Sequence, residues 1–333
     1  MKVLITGAAG FLGSHLAEKL SLLKHDVIGM DNFIGGYKDN IPKNIDFHNF
    51  DCCNLKKMNQ VMKNVDVVYH CAATAHEGLS VFSPYEIGKN NFLASSSVFS
   101  AAISNKVKRI IFCSSMARYG HQKTPFTENM NTSPVDPYGI AKVASEELLK
   151  SLCELNNIEW VIAVPHNIIG SRQKYDDPFR NVVSIMLNRI LQNQAPIIYG
   201  DGEQKRCFSY IDDCLSCLLP MLDRKDLNKQ IVNIGPDEEF VTINKIAELC
   251  SNITGINLPP IYKPGRPREV KHATCSADKA RKLLDYKTTV SLKDGMKKTF
   301  EYISNRGSKA FDYNIEIEIN NELTPKTWTQ KEI

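Results

Sequence analysis

Tyr138 and Lys142 stand four apart in the run YGIAK. On a helix they would share one face, where an ammonium can stabilise a phenolate and bring a tyrosine pKa from about 10 towards working pH. The pair then acts as a general base. Ser115, in CSSMARYG, ends a strand-like run, where open α/β sheets bind ligands, and could hydrogen-bond a hydroxyl undergoing oxidation. Gly7, Gly10 and Gly13 follow the apolar run KVLIT and precede a helical pattern. Glycines so spaced allow a tight turn, a backbone close to a pyrophosphate, and close packing of the helix whose N-terminus faces the phosphates. Asp31 closes the next strand-like run, DVIGMD, where a carboxylate accepts ribose hydroxyls and repels a 2′-phosphate. Together these residues favour NAD over NADP. Each feature alone has a plain explanation, such as a solvated helix face, an ordinary turn or a turn aspartate. Their occurrence together and in order argues for chemistry.

These residues need a scaffold of alternating strands and helices. KVLIT, a helix over Phe11 to Leu23, DVIGMD, DVVYHCA, a helix over Asn91 to Asn105, RIIFCSS, a helix over Tyr138 to Leu155 and WVIAVP succeed one another. That order predicts a Rossmann-type doubly wound parallel sheet of the α/β class, with a smaller α/β substrate-binding domain beside it. The expected division is 1–165 for the NAD-binding domain with a return segment near 205–235, 166–204 and 236–310 for the substrate-binding domain, and 311–333 as a C-terminal extension lying as an arm over the surface.

Composition excludes several classes. At 333 residues with 43% hydrophobic and 23% charged, the chain reads as a globular protein. Its net charge of +4 without a long basic run predicts no nucleic-acid partner. No stretch approaches about 18 consecutive apolar residues, so no membrane span is expected, and the start MKVLITGAAGFLG is too short and glycine-punctuated for a signal peptide. The ten cysteines are scattered and form no disulfide framework, which suggests reduced thiols and a cytoplasmic location. Cys214 and Cys217 lie in the apolar run CLSCLLPML and read as buried hydrophobes. His70, His76 and His166 lack ligand spacing, so no metal site is expected.

The ordered motifs TGAAGFLG, MDN, Asp51, HCAA, Asn91, SSMARYG, YGIAK, HNIIGSRQ, YGDGEQKRCFSYIDD and GRPREV resemble the extended short-chain dehydrogenase/reductases over nearly the whole chain. Within them the pattern is nearest to nucleotide-sugar epimerases and dehydratases of the UDP-glucose 4-epimerase type. The resemblance implies NAD contacts from Gly7, Gly10, Phe11, Leu12, Gly13, Asp31, Asn32, Asp51, Cys52, Ala72, Ala73, Asn91, Tyr138 and Lys142, with Asp51 near the adenine and Lys142 on the nicotinamide ribose. It places Ser115, Met116, Asn167, Arg206, Arg266, Glu269 and Ala273 around a UDP-sugar. In that assignment Asn167, Arg206 and Arg266 hold the diphosphate and Glu269 lies near the uridine ribose. Arginine forks suit phosphate oxygens. A homodimer paired through a four-helix bundle is implied as well.

Departures sharpen the expectation. Met116 and Ala117 stand where 4,6-dehydratases carry Asp and Glu, and Ala117 where UDP-glucuronate decarboxylases typically carry Glu, so both reactions are disfavoured. Pro165 and His166 replace the usual aromatic pair, and Ala75, His76 and Glu77 change a substrate-side loop. The expected activity is NAD-dependent inversion at C4 of a UDP-sugar through a transient 4-keto intermediate. A small Ala273 would admit UDP-GlcNAc and UDP-GalNAc. The competing readings are a dehydratase or 4-ketosugar reductase with Glu77 or His76 as acid, and a non-catalytic sugar-nucleotide sensor. The intact Ser115, Tyr138 and Lys142 speak against the last.

Overall fold

A computed structural model describes residues 1–333. Seven parallel strands form its central sheet: β1 (Lys2–Thr6), β2 (Asp26–Asp31), β3 (Asp46–Asn49), β4 (Val67–His70), β5 (Arg109–Cys113), β6 (Glu159–Pro165) and β7 (Gln230–Ile234). Their order is β7-β6-β5-β4-β1-β2-β3, a doubly wound sheet whose direction of winding reverses between β1 and β4. At such a reversal the crossing helices diverge and leave a crevice at the carboxyl ends of the strands.

Apart from the edge strand β3, the strands are apolar on both faces because both faces are covered. Val3, Ile5, Val67, Tyr69 and Ile111 pack into one core with Leu16 and Leu20 of helix α1 (Phe11–Leu22) and Leu215 and Leu218 of the helix Ile211–Leu218. Leu4, Val68, Ile110 and Phe112, pointing the opposite way, join a second core. There they meet Val98 and Phe99 of the helix Ala94–Ser104 and Leu149 of the helix Pro137–Leu155. β3 went unrecognised in the sequence because this edge strand, DFHN, has no fully buried residue. A π-helical turn, Lys89–Leu93, precedes Ala94–Ser104. Later in the chain the helix Ile211–Leu218, where Cys214 and Cys217 are free buried thiols, covers the sheet, and Gln230–Ile234 adds the edge strand β7.

Residues 311–333 are mostly exposed but anchored: Ile315, Trp328 and Ile333 are buried in a third core with Leu79, Phe82, Phe179 and Ile197.

A buried polar chain ties the turn after β5 to the rest. Glu146, fully buried on the helix Pro137–Leu155, accepts from the Ser114 hydroxyl and from Arg118 Nη2, the latter at 2.8 Å. Arg118 also donates to the Tyr119 hydroxyl at 3.1 Å, which donates to Asn233 of β7 at 2.8 Å. Removing Arg118 or Glu146 leaves the other buried without its charge partner, a loss of about 3–5 kcal/mol. Arg118→Met is therefore expected to lower the thermal midpoint sharply, whereas Arg224→Met, at the exposed pair with Asp226, leaves it nearly unchanged. Equal midpoints for the two variants would refute this account of the buried chain.

Candidate active site

A cavity of about 440 Å³ opens at the carboxyl ends of the strands, between the sheet and the segments that follow β6. One end is made largely of backbone. Gly7 adopts φ 76°, and a β-carbon there would lie 2.9 Å from the Ala72 nitrogen. At Gly13 a β-carbon would lie 2.1 Å from the Gly7 carbonyl oxygen, so only glycine lets α1 approach the turn this closely. No side chain caps α1 and its first turn holds no acid, which leaves free N–H groups and a partial positive charge for an anion.

The carboxylate of Asp31, 7% exposed, accepts the Ala9 and Phe33 N–H groups at 2.9 and 2.7 Å. Burial raises its pKa against those donors, so further hydroxyl donors would favour its ionised form. Asn32 donates to Asp51 at 3.0 Å. Against the penalty of burial, the Cys53 N–H and the Asn32 amide hold Asp51 below the usual carboxylate range. Phe11, Leu12, Gly10, Cys52, Ala72 and Ala73 complete this wall. The glycine cradle, bare helix end and Asp31 fit a dinucleotide whose pyrophosphate sits on the helix and whose ribose meets the aspartate.

At the inner end, Asp136 caps the helix Pro137–Leu155 by accepting the Gly139 N–H at 2.8 Å, with Pro137 at the first helical position. This arrangement sends Tyr138 and Lys142 inward, and both are buried. Ser115 caps the turn Met116–Tyr119 by accepting the Ala117 N–H at 3.2 Å, and it lines the cavity together with Tyr138. Lys142 differs from expectation. Its ammonium donates to the Cys113 carbonyl at 2.8 Å and lies 5.9 Å from the centre of the Tyr138 ring. Burial lowers Lys142 to about 8. Tyr138 is raised by burial and by the charge of Glu77, with Ser115 opposing. Lys142 thus anchors the helix, and the charge of Arg180 also opposes the rise at Tyr138.

Glu77 lines the cavity and is exposed to it. The walls that crowd its carboxylate cost it hydration, and this, reinforced by Asp136 and opposed by Arg206 and Arg266, raises its carboxyl to about 7. Beside it His76 Nε2 lies 2.9 Å from Asp177, both buried. His70 is held between Thr6 and Ser95 at 2.7 and 2.9 Å, and His166 faces the Pro236 carbonyl at 3.0 Å.

The outer end carries Asn167, Arg206, Arg266 and Glu269. Asn167 donates to the Cys207 carbonyl at 2.9 Å. Arg206 donates to the Val270 and Lys271 carbonyls at 2.6 and 3.1 Å. Arg266 pairs with Glu269 at 2.8 Å and stacks over Tyr199 at 4.9 Å.

Three expected residues lie off the cavity wall. Asn91 is buried, its amide donating to the Thr74 and Ile87 carbonyls at 3.1 and 2.8 Å, so it supports the wall from behind. Met116 turns into the second core. Ala273 pairs with Arg206 in a short strand and packs in that same core, so it opens no room beside a sugar. Asp136, Phe179, Arg180 and Tyr199 line the cavity but were missed. Only Asp136 had a local signal, an aspartate before a proline at a helix start.

The model of the NAD dependent epimerase/dehydratase family matches residues 3–235. The chain is 35% identical over 310 residues to a putative UDP-glucose 4-epimerase of Methanocaldococcus jannaschii, covering 91% of this chain and 98% of that one. It is 30% identical over 316 residues to a UDP-N-acetyl-alpha-D-glucosaminuronate decarboxylase of Bacillus cytotoxicus, covering 90% and 97%. The crystal structure of Thermotoga maritima UDP-glucose 4-epimerase with UDP-glucose superposes with a TM-score of 0.87 at 31% identity, covering 92% of this chain and 99% of that one.

Glu77 is expected to give the fold a small pH dependence. Its carboxyl, raised to about 7 from the ordinary 4.5, favours proton uptake on folding between those values, and its exposure to the cavity screens the effect. The stability this group contributes is present below about 4.5 and is lost as pH rises through about 7. Glu77→Gln is expected to flatten the profile of thermal midpoint against pH across that window. A variant profile parallel to that of the parent would show that Glu77 titrates normally.

Proposed function

The chain belongs to the NAD-dependent epimerase/dehydratase family, and from that premise we propose that it interconverts the C4 epimers of a UDP-sugar through a transient 4-keto sugar. One observation carries this choice within the family. Ser115 and Tyr138 share the inner end of the cavity, while the residues after Ser115, Met116 and Ala117, are buried and apolar. Elimination and decarboxylation therefore find no carboxylate directly after Ser115.

NAD, when bound, supplies the hydride acceptor and donor and a cationic nicotinamide ring. The chain's residues do the rest. Tyr138 Oη takes the proton of the sugar 4-hydroxyl and returns it, and Ser115 Oγ holds the same oxygen. Lys142, itself on the cavity wall, fixes the helix through the Cys113 carbonyl. Asn167, Arg206 and Arg266 hold the diphosphate, with Arg266 turning from Glu269 to phosphate, so that the sugar can present either face while the nucleotide stays in place. Exposed Phe92, Leu93 and Ile140, on or beside the helices Ala94–Ser104 and Pro137–Leu155, support pairing of two copies through these helices. With Ala273 off the wall, a preference for N-acetylated sugars has no structural support, and both sugar pairs enter the test.

Glu77 favours a second reading. A carboxyl held near 7 inside the cavity can act as an acid or base, as a dehydratase would require.

Proton NMR of purified protein with UDP-glucose, UDP-galactose, their N-acetylated counterparts and UDP-glucuronic acid, without added reductant, separates these outcomes. The expected product is the C4 epimer of one or more substrates. Tyr138→Phe is expected to lose about 10²-fold or more in kcat while keeping its UDP affinity. A 4-keto-6-deoxy sugar, a pentose, or full activity in Tyr138→Phe would overturn the proposal.

A further inference from the structure

Residues 311–333 join three separate walls of the cavity. In the turn after Asp31, the Ile34 carbonyl accepts the Asn314 amide at 2.9 Å. In the loop after β4, the Phe82 carbonyl accepts the N–H groups of Glu318 and Ile319 at 3.0 and 2.8 Å. The Glu318 carboxylate accepts the N–H groups of Tyr85 and Glu86 at 2.9 and 2.8 Å, at the start of the short helix Pro84–Gly88. Beyond the helix Val182–Leu191, the Tyr199 hydroxyl lies 2.6 Å from Thr327 Oγ1.

Trp328 stands where these walls meet and is 2% exposed. Its ring is edge-on to Phe82, Phe179 and Tyr199, with centroids 6.0, 5.3 and 6.2 Å away. Between it and the cavity lies Gly78, whose β-carbon would sit 3.4 Å from the indole and 3.3 Å from the Arg266 guanidinium. Tyr199 in turn carries that guanidinium over its ring. The indole thus backs the aromatic platform on which Arg266 rests. Edge-on aromatic contacts of this kind have specific geometry, so removing the indole frees the Tyr199 ring as well as leaving a void.

We propose that Trp328 is a positioning residue for the nucleotide half of the substrate, acting through Tyr199 on Arg266, which makes residues 311–333 part of the substrate site. This rests on the reading that Arg266 faces the diphosphate.

The test compares the parent protein with Trp328→Ala, Trp328→Phe and Thr327→Val for UDP affinity by calorimetry, retained NAD, and kcat and KM. Trp328→Ala is expected to raise the Kd for UDP and the KM about 10-fold to 10²-fold, the scale of a misplaced binding group. Its kcat should change less than about twofold and its NAD content should hold, because the inner end and the cofactor wall do not rest on Trp328. Trp328→Phe should recover most of the affinity, and Thr327→Val should weaken UDP binding in the same direction by a smaller factor. Unchanged UDP affinity in folded Trp328→Ala overturns the proposal, as does a matching loss of NAD and kcat, which would mark a purely structural role. Should Trp328→Ala not fold, unchanged UDP affinity in Thr327→Val at an unaltered thermal midpoint overturns it equally. Failure of the parent protein to bind UDP would instead refute the reading of Arg266, and the role of Trp328 with it.

Discussion

The inner end of the cavity depends on one buried ammonium. Lys142 Nζ donates to the carbonyl of Cys113, the last residue of β5, at 2.8 Å, and it lies over the Phe112 ring at 4.8 Å. Burial of this charge is unfavourable enough to bring its pKa to about 8, so the contact is demanding in its geometry. It sets the depth and rotation of the helix Pro137–Leu155 against the sheet. Tyr138, one turn earlier on that helix, and Ser115, two residues beyond Cys113, then have their separation decided by the same bond. The salt bridge between Arg118 and Glu146 holds the intervening turn from the other side.

The two ends of the cavity are built on different principles. The cofactor end is mostly backbone, with glycines packed at contact distance and one buried aspartate, and it has few ways to rearrange. The outer end, where the nucleotide is proposed to sit, is made of side chains that already have partners, Arg266 with Glu269 and Arg206 with backbone carbonyls. An anion arriving there must exchange these partners. That exchange suits a site holding a diphosphate while the sugar beyond it changes face, because neither sugar face needs its own tight pocket.

What the sequence made legible is local. The turn from β1 into α1, the aspartate ending β2 and the pair Tyr138 and Lys142 each lie within one strand-turn-helix unit, where spacing alone brings side chains to a common face. Long-range packing was not legible. Lys142 and Tyr138 do share a helix face, but which carbonyl takes the ammonium depends on a strand 29 residues earlier. Ala273 lies next to Arg206 in a three-stranded sheet of two-residue strands, and in so short a strand a one-residue shift turns a side chain from cavity to core. Trp328 carries no periodic signal, since only the short helix Lys326–Thr329 surrounds it; its burial comes from Phe82, Phe179 and Tyr199, far away in the chain.

Epimerisation by oxidation and return at one carbon makes a demand that 4,6-elimination does not share: the hydrogen that leaves C4 must come back to C4. The most direct measurement is to incubate the protein, with no added cofactor, with its UDP-sugar deuterated at C4 in ordinary water, and to follow both epimers by NMR to equilibrium. Deuterium is expected to remain at C4 in both epimers without loss. Label washed into water, or carried to another position on the sugar, would contradict it.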